Sequence, residues 1–245
     1  MELRAPESIS FAQTSFCPGC GHGIVSRLIG EVMEEMGLTE KLLTVVDVAC
    51  SSLHIDTWKF DTVIAAHGRP IATATGVKKI RRENPVLAYL GDGAAYSIGI
   101  AETMHAALRN DNVVTIIINN GVFGMTGGQM APTSLAGQKT TTSPKGRDVS
   151  KTGQPFDVVK VMGSLDIPYL ARGSVSNLGD IRRTKKYIKK AFEKHMNNEG
   201  FCLVEILSPC PTNLGMAPVA CSERIDGVVK ELFNTGEYID KEGTK

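Results

Sequence analysis

The sequence has no long apolar run. None approaches the roughly 20 residues that a membrane-spanning helix requires, so no membrane span is expected. It has no surplus of one charge either: 27 basic against 26 acidic side chains leave a net +1. That balance gives no reason to expect nucleic acid or an anionic membrane as a partner. The first twelve residues carry Glu2, Arg4 and Glu7 and lack the apolar core of a secretory signal, so a cytoplasmic protein is expected. In a reducing cytoplasm its six cysteines read as metal ligands or redox groups rather than disulfides. There is no internal repeat and no low-complexity segment. What remains is a chain of 245 residues, 42% apolar and 22% charged, long enough to bury a core without disulfides. One domain over 1–245 is expected, with a cysteine-bearing N-terminal segment and a C-terminal tail.

Short β-branched runs alternate with longer amphipathic stretches. Leu43–Val48, Val86–Leu90, Val113–Ile118 and Phe201–Leu207 read as strands, and their nearly unbroken apolar character suits strands covered on both faces. Ile24, Leu28, Val32 and Met36 form a helical stripe that Gly37 would stop. A second helix is expected from Ile98 through Met104 to Leu108. A third follows Asp180 as N-cap, with Ile181, Ile188, Ala191 and Phe192 on one side and a basic face near Lys185–Lys194 on the other. Strand–helix alternation implies an α/β, doubly wound fold with a mostly parallel sheet. The basic face reads as solvated surface, with docking of an acidic partner protein the sharper alternative.

The segment from Gly121 to Gly153 breaks this rhythm. After Gly121 it holds six glycines and two prolines and few bulky apolar residues. Long loops inside a domain are often functional, and this one leaves the most apolar strand. In open parallel sheets ligands collect beyond the carboxyl ends of the strands, where this loop begins.

Two short motifs lie at such ends. Gly91-Asp92-Gly93 follows one strand, and Asn119-Asn120 follows another after 25 intervening residues, enough for a helix and a strand. Gly-Asp-Gly alone is an ordinary turn. Together the motifs bring a carboxylate, an amide oxygen and a backbone carbonyl to neighbouring strand ends, hard oxygen ligands of the kind Mg²⁺ takes alongside phosphate oxygens. This pair resembles the diphosphate-binding motif of thiamine diphosphate enzymes. The resemblance implies that Asp92, Asn120 and the carbonyl of Val122 hold Mg²⁺.

Cys17-Pro18-Gly19-Cys20 lets two thiolates reach one metal from a single turn. Alone it is compatible with a thioredoxin-like dithiol, a zinc half-site or an iron–sulfur half-site. Residues 1–16 offer no convincing strand, which weakens the first. Cys50 and Cys210 each stand just beyond a strand, on the same sheet edge as Asp92 and Asn120. Cys202 falls within a strand and Cys221 in a C-terminal loop, where packing and chance are the ordinary explanations. Four cysteines beside a thiamine motif resemble the β subunit of 2-oxoacid:ferredoxin oxidoreductases. Cys17–Gly21, Cys50-Ser51-Ser52, His67-Gly68-Arg69, Asn119–Val122, Gly124–Gln129 and Cys210-Pro211-Thr212 carry the resemblance.

That family implies a thiamine diphosphate-binding fold in which Cys17, Cys20, Cys50 and Cys210 ligate a [4Fe–4S] cluster. Spacing leaves cluster and zinc open; the thiamine motif favours the cluster. The implied activity is oxidative decarboxylation of a 2-oxoacid to acyl-coenzyme A and CO₂, with electrons leaving for ferredoxin. Val48, Ala49, Cys50, Ser51 and Ser52 would approach the cofactor from one strand end, and Gly91, Gly93 and Ala94 from the next. Gly124, Met125 and Thr126 open the loop expected to touch cofactor and substrate. His67 is a candidate cofactor contact and proton donor or acceptor, while His22 reads as a non-ligand. The glutamate that activates thiamine has no counterpart here. The resemblance assigns it to a pyrimidine-binding α subunit, with γ and ferredoxin-like δ subunits completing a hetero-oligomer. The isolated chain is therefore expected to be inactive. Met125, Gly127 and Leu53-His54-Ile55 stand where relatives carry polar or basic groups, which ranks branched-chain 2-oxoisovalerate first and 2-oxoglutarate next. Two rivals stand beside this reading. One is a non-oxidative thiamine enzyme with a structural zinc; the other is a zinc-stabilised interaction module.

Overall fold

The structure is a computed structural model, and it describes residues 4–10 and 14–241. Helix α1 (Gly21–Met36) leads to strand β1 (Leu43–Asp47), β2 (Asp61–Ala65), α2 (Pro70–Ile80), β3 (Val86–Gly91), α3 (Ile100–Leu108) and β4 (Val114–Asn119). A small hairpin follows, β5 (Val122–Phe123) with β6 (Gln129–Met130), then the short helices α4 (Val149–Thr152) and α5 (Val158–Met162). The chain closes with β7 (Tyr169–Ser174), α6 (Leu178–Met196), β8 (Cys202–Leu207), α7 (Pro211–Leu214), α8 (Pro218–Arg224) and β9 (Gly236–Asp240).

Seven strands form one sheet in the order β2-β1-β3-β4-β8-β7-β9. Every neighbouring pair is parallel except β7 with β9. Alternate residues of each strand enter opposite cores. Leu87, Tyr89, Ile116 and Val204 join Val25, Ile29, Ile188 and Phe192 beneath α1 and α6. Ala88, Leu90, Ile117 and Leu203 join Ile71, Ala74, Ala106 and Ala107 beneath α2 and α3. Helices on both faces explain the unbroken apolar runs, because neither side of the central strands meets water. The fold is doubly wound α/β.

The four expected strands are present, each within a residue of its expected bounds. Three strands of the seven-stranded sheet, and the small β5–β6 hairpin, were not foreseen. Edge strand β2 leaves Val63 and Ile64 about half exposed, β7 carries Arg172 and Gly173, and β9 is a short antiparallel edge. Helix α1 stops at Gly37 in the left-handed conformation, φ 65°, as a glycine past a helix end permits. The expected helix at Ile98–Leu108 begins later, after a π-helical turn at Ala94–Ile98, and both Ile98 and Leu108 are exposed; Thr103, Ala106 and Ala107 form its buried side. Asp180 is not the cap of α6. Asn177 caps it, its side chain accepting from the Asp180 N–H at 3.0 Å, and Asp180 lies buried and paired with Lys230 and Arg183. Cys221 lies not in a loop but buried in α8.

The basic side of α6 is largely neutralised. Lys185 pairs with Glu31 and Glu35, Lys189 with Glu35, Lys190 with Glu237 and Asp240, and Lys194 with Glu199 and Asp240. These pairs stitch α6 to α1 and β9, so the lysines are not a concentrated free charge for a partner.

Candidate active site

The sheet order reverses at β1: β2 is added on one side of it, and β3, β4 and β8 on the other. A crevice opens beyond the carboxyl ends of strands at such a point. The ends of β1, β3 and β4 deliver Asp47, Gly91-Asp92 and Asn119-Asn120 to it.

Asp92 is fully buried. One of its oxygens accepts from the Gly121 N–H at 3.1 Å and from the Thr133 hydroxyl. Burial pushes its carboxyl up to about 7, against the lowering pull of Thr133 and of the Gly93 and Gly121 N–H groups. The Asn120 side-chain oxygen accepts from the Val122 N–H at 3.1 Å, closing the turn in which Gly121 sits at φ 72°. The long loop folds back onto this turn: Ser134 and Gln138 both donate to the Gly121 carbonyl, at 2.6 and 2.9 Å. Asn119 points the other way, donating to buried Glu205 at 3.1 Å. Glu205 also accepts from Tyr96 at 3.0 Å and pairs with Arg172, which Asp157 holds at 2.6 Å.

At the end of β1, buried Asp47 accepts from His67 Nδ1 and from the Gly68 N–H, both at 2.7 Å. His67, Ala49, Cys50, Ser51, Gly91, Asp92, Gly93, Ala94, Asn120, Val122, Gly124 and Met125 line one solvent-open cleft of about 340 Å³. Val48, Ser52 and Thr126 do not line it. Val48 is exposed, Ser52 donates to the Ala49 carbonyl at 2.8 Å, and Thr126 is tied to Gln129 at 2.7 Å. Glycine is required at two positions in the wall. A Cβ on Gly93 would overlap the Phe123 ring, and one on Gly124 would come within 3.2 Å of Cys50 Sγ. The lining contains no lysine or arginine among the described residues.

Cys17, Cys20, Cys50 and Cys210 gather beside the cleft. Burial pushes the Cys20 thiol up to about 12, and its hydrogen bond at His22 opposes this; the charges of Cys210, Cys50 and Cys17 add to the rise. Cys50 rises to about 11, again by burial first and then through Cys210 and Cys17. Among the described residues, no three His, Cys, Asp or Glu side chains close tightly enough to hold one metal ion. The four thiols are thus within electrostatic reach of each other without forming a single-ion cage. Cys202 lies buried in β8, apart from the others, whereas Cys221 lies near Cys210.

The family profile of the thiamine pyrophosphate enzyme C-terminal TPP binding domain matches residues 46–206, which span β1 to β8. The 2-oxoglutarate synthase subunit KorB of Archaeoglobus fulgidus is 35% identical over 205 residues, covering 84% of this chain and 73% of that protein. The chain belongs to the thiamine pyrophosphate-binding subunits of the 2-oxoacid:ferredoxin oxidoreductases. Within this family, the ketoisovalerate oxidoreductase subunit VorA of Methanothermobacter thermautotrophicus is 42% identical over 202 residues, or 82% of this chain. The chain spans only 42% of that relative's length. A solved 2-oxoglutarate:ferredoxin oxidoreductase from Magnetococcus marinus, with 2-oxoglutarate, coenzyme A and succinyl-CoA bound, superposes with a TM-score of 0.80 at 25% identity. That match covers all of this chain and 88% of the other.

Several site residues carried no motif in the sequence. Asp47 ends an apolar strand twenty positions before His67, and only the parallel pairing of β1 with β2 brings them together. His22 and Phe123 line the cleft, and Thr133 reaches Asp92 from the long loop. Asn213 bridges that loop and Cys210, donating to the Gly124 carbonyl at 3.0 Å and toward Cys210 Sγ at 3.5 Å.

Proposed function

We propose that this chain is the thiamine-binding half of a 2-oxoacid:ferredoxin oxidoreductase that oxidises a branched-chain 2-oxoacid such as 2-oxoisovalerate to acyl-coenzyme A. The observation that carries the reading is the meeting, at the switch point of the sheet, of the Asp92–Asn120 turn with Cys50 in one cleft, and the gathering of Cys17, Cys20 and Cys210 close to Cys50. A diphosphate in a cleft without lysine or arginine needs another counter-charge. Mg²⁺ held by Asp92, Asn120 and the Val122 carbonyl would supply it, and this accounts for a carboxylate left buried without a cationic partner.

Four thiols within electrostatic reach of each other suit a [4Fe–4S] cluster and suit zinc equally, and membership of a thiamine-binding oxidoreductase family favours the cluster. When bound, thiamine diphosphate would supply the carbanion chemistry of decarboxylation and the cluster single-electron acceptance. The chain's own residues would hold and orient. Ala49, Cys50, Ser51, Gly93, Ala94, Gly124 and Met125 line the cleft, where Gly124 and Met125 would meet the substrate. His67, fixed by Asp47, would hold or move a proton at Nε2. Val48, Ser52 and Thr126 would act only through the backbone around them.

The similarity to a ketoisovalerate oxidoreductase subunit and the absence of a basic side chain for a second carboxylate support the branched-chain substrate over 2-oxoglutarate. A pyrimidine-binding partner subunit would supply the activating glutamate, with γ and δ subunits and ferredoxin completing the cytoplasmic complex. The test is substrate profiling of the reconstituted complex with coenzyme A and ferredoxin. Preference for 2-oxoisovalerate, with no turnover by the purified chain alone, agrees with the proposal. Turnover by the chain alone, or preference for 2-oxoglutarate, contradicts it.

A further inference from the structure

Helix α7 starts at Pro211, directly after Cys210, so its first turn carries Asn213 back over the cysteine sulfur. The side-chain amide has two hydrogens, and both have acceptors. One goes to the Gly124 carbonyl at 3.0 Å and the other toward Cys210 Sγ at 3.5 Å. The backbone N–H of Asn213 also serves this sulfur. Both donors of Asn213, side chain and backbone, thus face Cys210 Sγ.

The amide is held in place. A Cβ on Gly128, which sits at φ 81°, would lie 3.1 Å from Asn213 Oδ1, and Gly124 is wedged between Cys50 Sγ and the Asn213 amide nitrogen. Side chains at either glycine would displace the amide or the loop. Asn213 therefore touches, through one planar group, a cysteine of the proposed cluster and the backbone beside Met125.

We propose that Asn213 is a positioning residue that raises the reduction potential of the cluster through its hydrogen bond to Cys210 and ties the cluster to the substrate loop at Gly124. The proposal rests on the reading that the four cysteines hold an iron–sulfur cluster. A reduced cluster carries one more electron, and part of that charge resides on the cysteine sulfurs. A donor already aimed at Sγ stabilises the reduced form more than the oxidised form. A side chain that only braced the loop would leave the potential unchanged.

The test uses the full chain assembled with the pyrimidine-binding subunit but without the ferredoxin-like subunit, carrying Asn213→Leu or Asn213→Ala, titrated electrochemically with the reduced cluster followed by electron paramagnetic resonance. The expected result is four irons retained and a midpoint shifted negative, on the order of a tenfold weaker reduction equilibrium, or ~59 mV for one electron. An unchanged midpoint with four irons present overturns the proposal. A second measurement needs no variant: with side-chain ¹⁵N-asparagine in the native chain, the reduced cluster should show a ¹⁵N hyperfine coupling, and its absence overturns the proposal as well. Zinc in place of iron would overturn the cluster reading itself, and this inference with it.

Discussion

The carboxylate of Asp47 anchors His67: one oxygen accepts from Nδ1 and the other from the next residue's N–H, each at 2.7 Å. An ionised carboxylate only accepts, so Nδ1 carries the proton and Nε2 is left to the cleft. Asp47→Asn removes that constraint while preserving shape. Turnover of the complex should fall about 10–100-fold with thiamine content unchanged. Steady-state kinetics with cofactor analysis checks this, and full activity would remove His67 from the chemistry.

Two substitutions should separate the two proposed centres. Asp92→Asn removes the charge that faces the cation, and thiamine diphosphate affinity in Mg²⁺ should fall by at least about a hundredfold with iron content intact. Cys17→Ser should lose iron and keep thiamine binding. Calorimetry and metal analysis on the same preparations read both outcomes.

The buried network under Asn119 should govern stability. Burial works against the charge on Arg172, but Glu205 and Asp157 hold it firmly protonated. Arg172→Met strands Glu205 without its cation, and unfolding free energy should drop by about 3–5 kcal/mol in urea denaturation.

The buried histidines should make the fold lose stability in mild acid. Burial lowers His22 to about 4, His195 to about 3 and His54 well below the usual histidine range. The unfolded chain protonates these rings near pH 6.5 while the folded chain does not. The stability they confer is complete above pH 6.5 and is lost as pH falls from there toward 4, by up to about 1.4 kcal/mol per pH unit for each ring. His195 Nε2 accepts from the Val86 N–H at 3.0 Å. His195→Gln keeps an acceptor without a proton to gain, so its denaturation midpoint should vary less over that range.

The sheet's centre was legible because β1, β3, β4 and β8 are apolar on both faces, and the Gly-Asp-Gly and Asn-Asn spacing placed two strand ends together. Edge strands β2 and β9 were not, since each has one open side and no such run. Strand β7 hid behind Arg172, whose charge is matched by Glu205 across the sheet and by Asp157 from the loop before α5. Asp180 resembled a cap because the residue that performs the role, Asn177, lies one turn earlier. In the site, residues inside motifs were readable. Asp47, Thr133 and Asn213 were not, because their partners lie 20, 41 and 89 positions away and meet only through the sheet and the folded-back loop.

The central claim is that one cleft holds thiamine diphosphate and a [4Fe–4S] cluster side by side. Metal analysis and electron paramagnetic resonance decide it on the anaerobically purified chain assembled with the pyrimidine-binding subunit alone, without the ferredoxin-like subunit, before and after 2-oxoisovalerate. Expected are iron at the four-cysteine site, a visible absorption that bleaches with substrate, and a reduced-cluster signal lost in Cys50→Ser. A colourless protein carrying one zinc at those cysteines would contradict it.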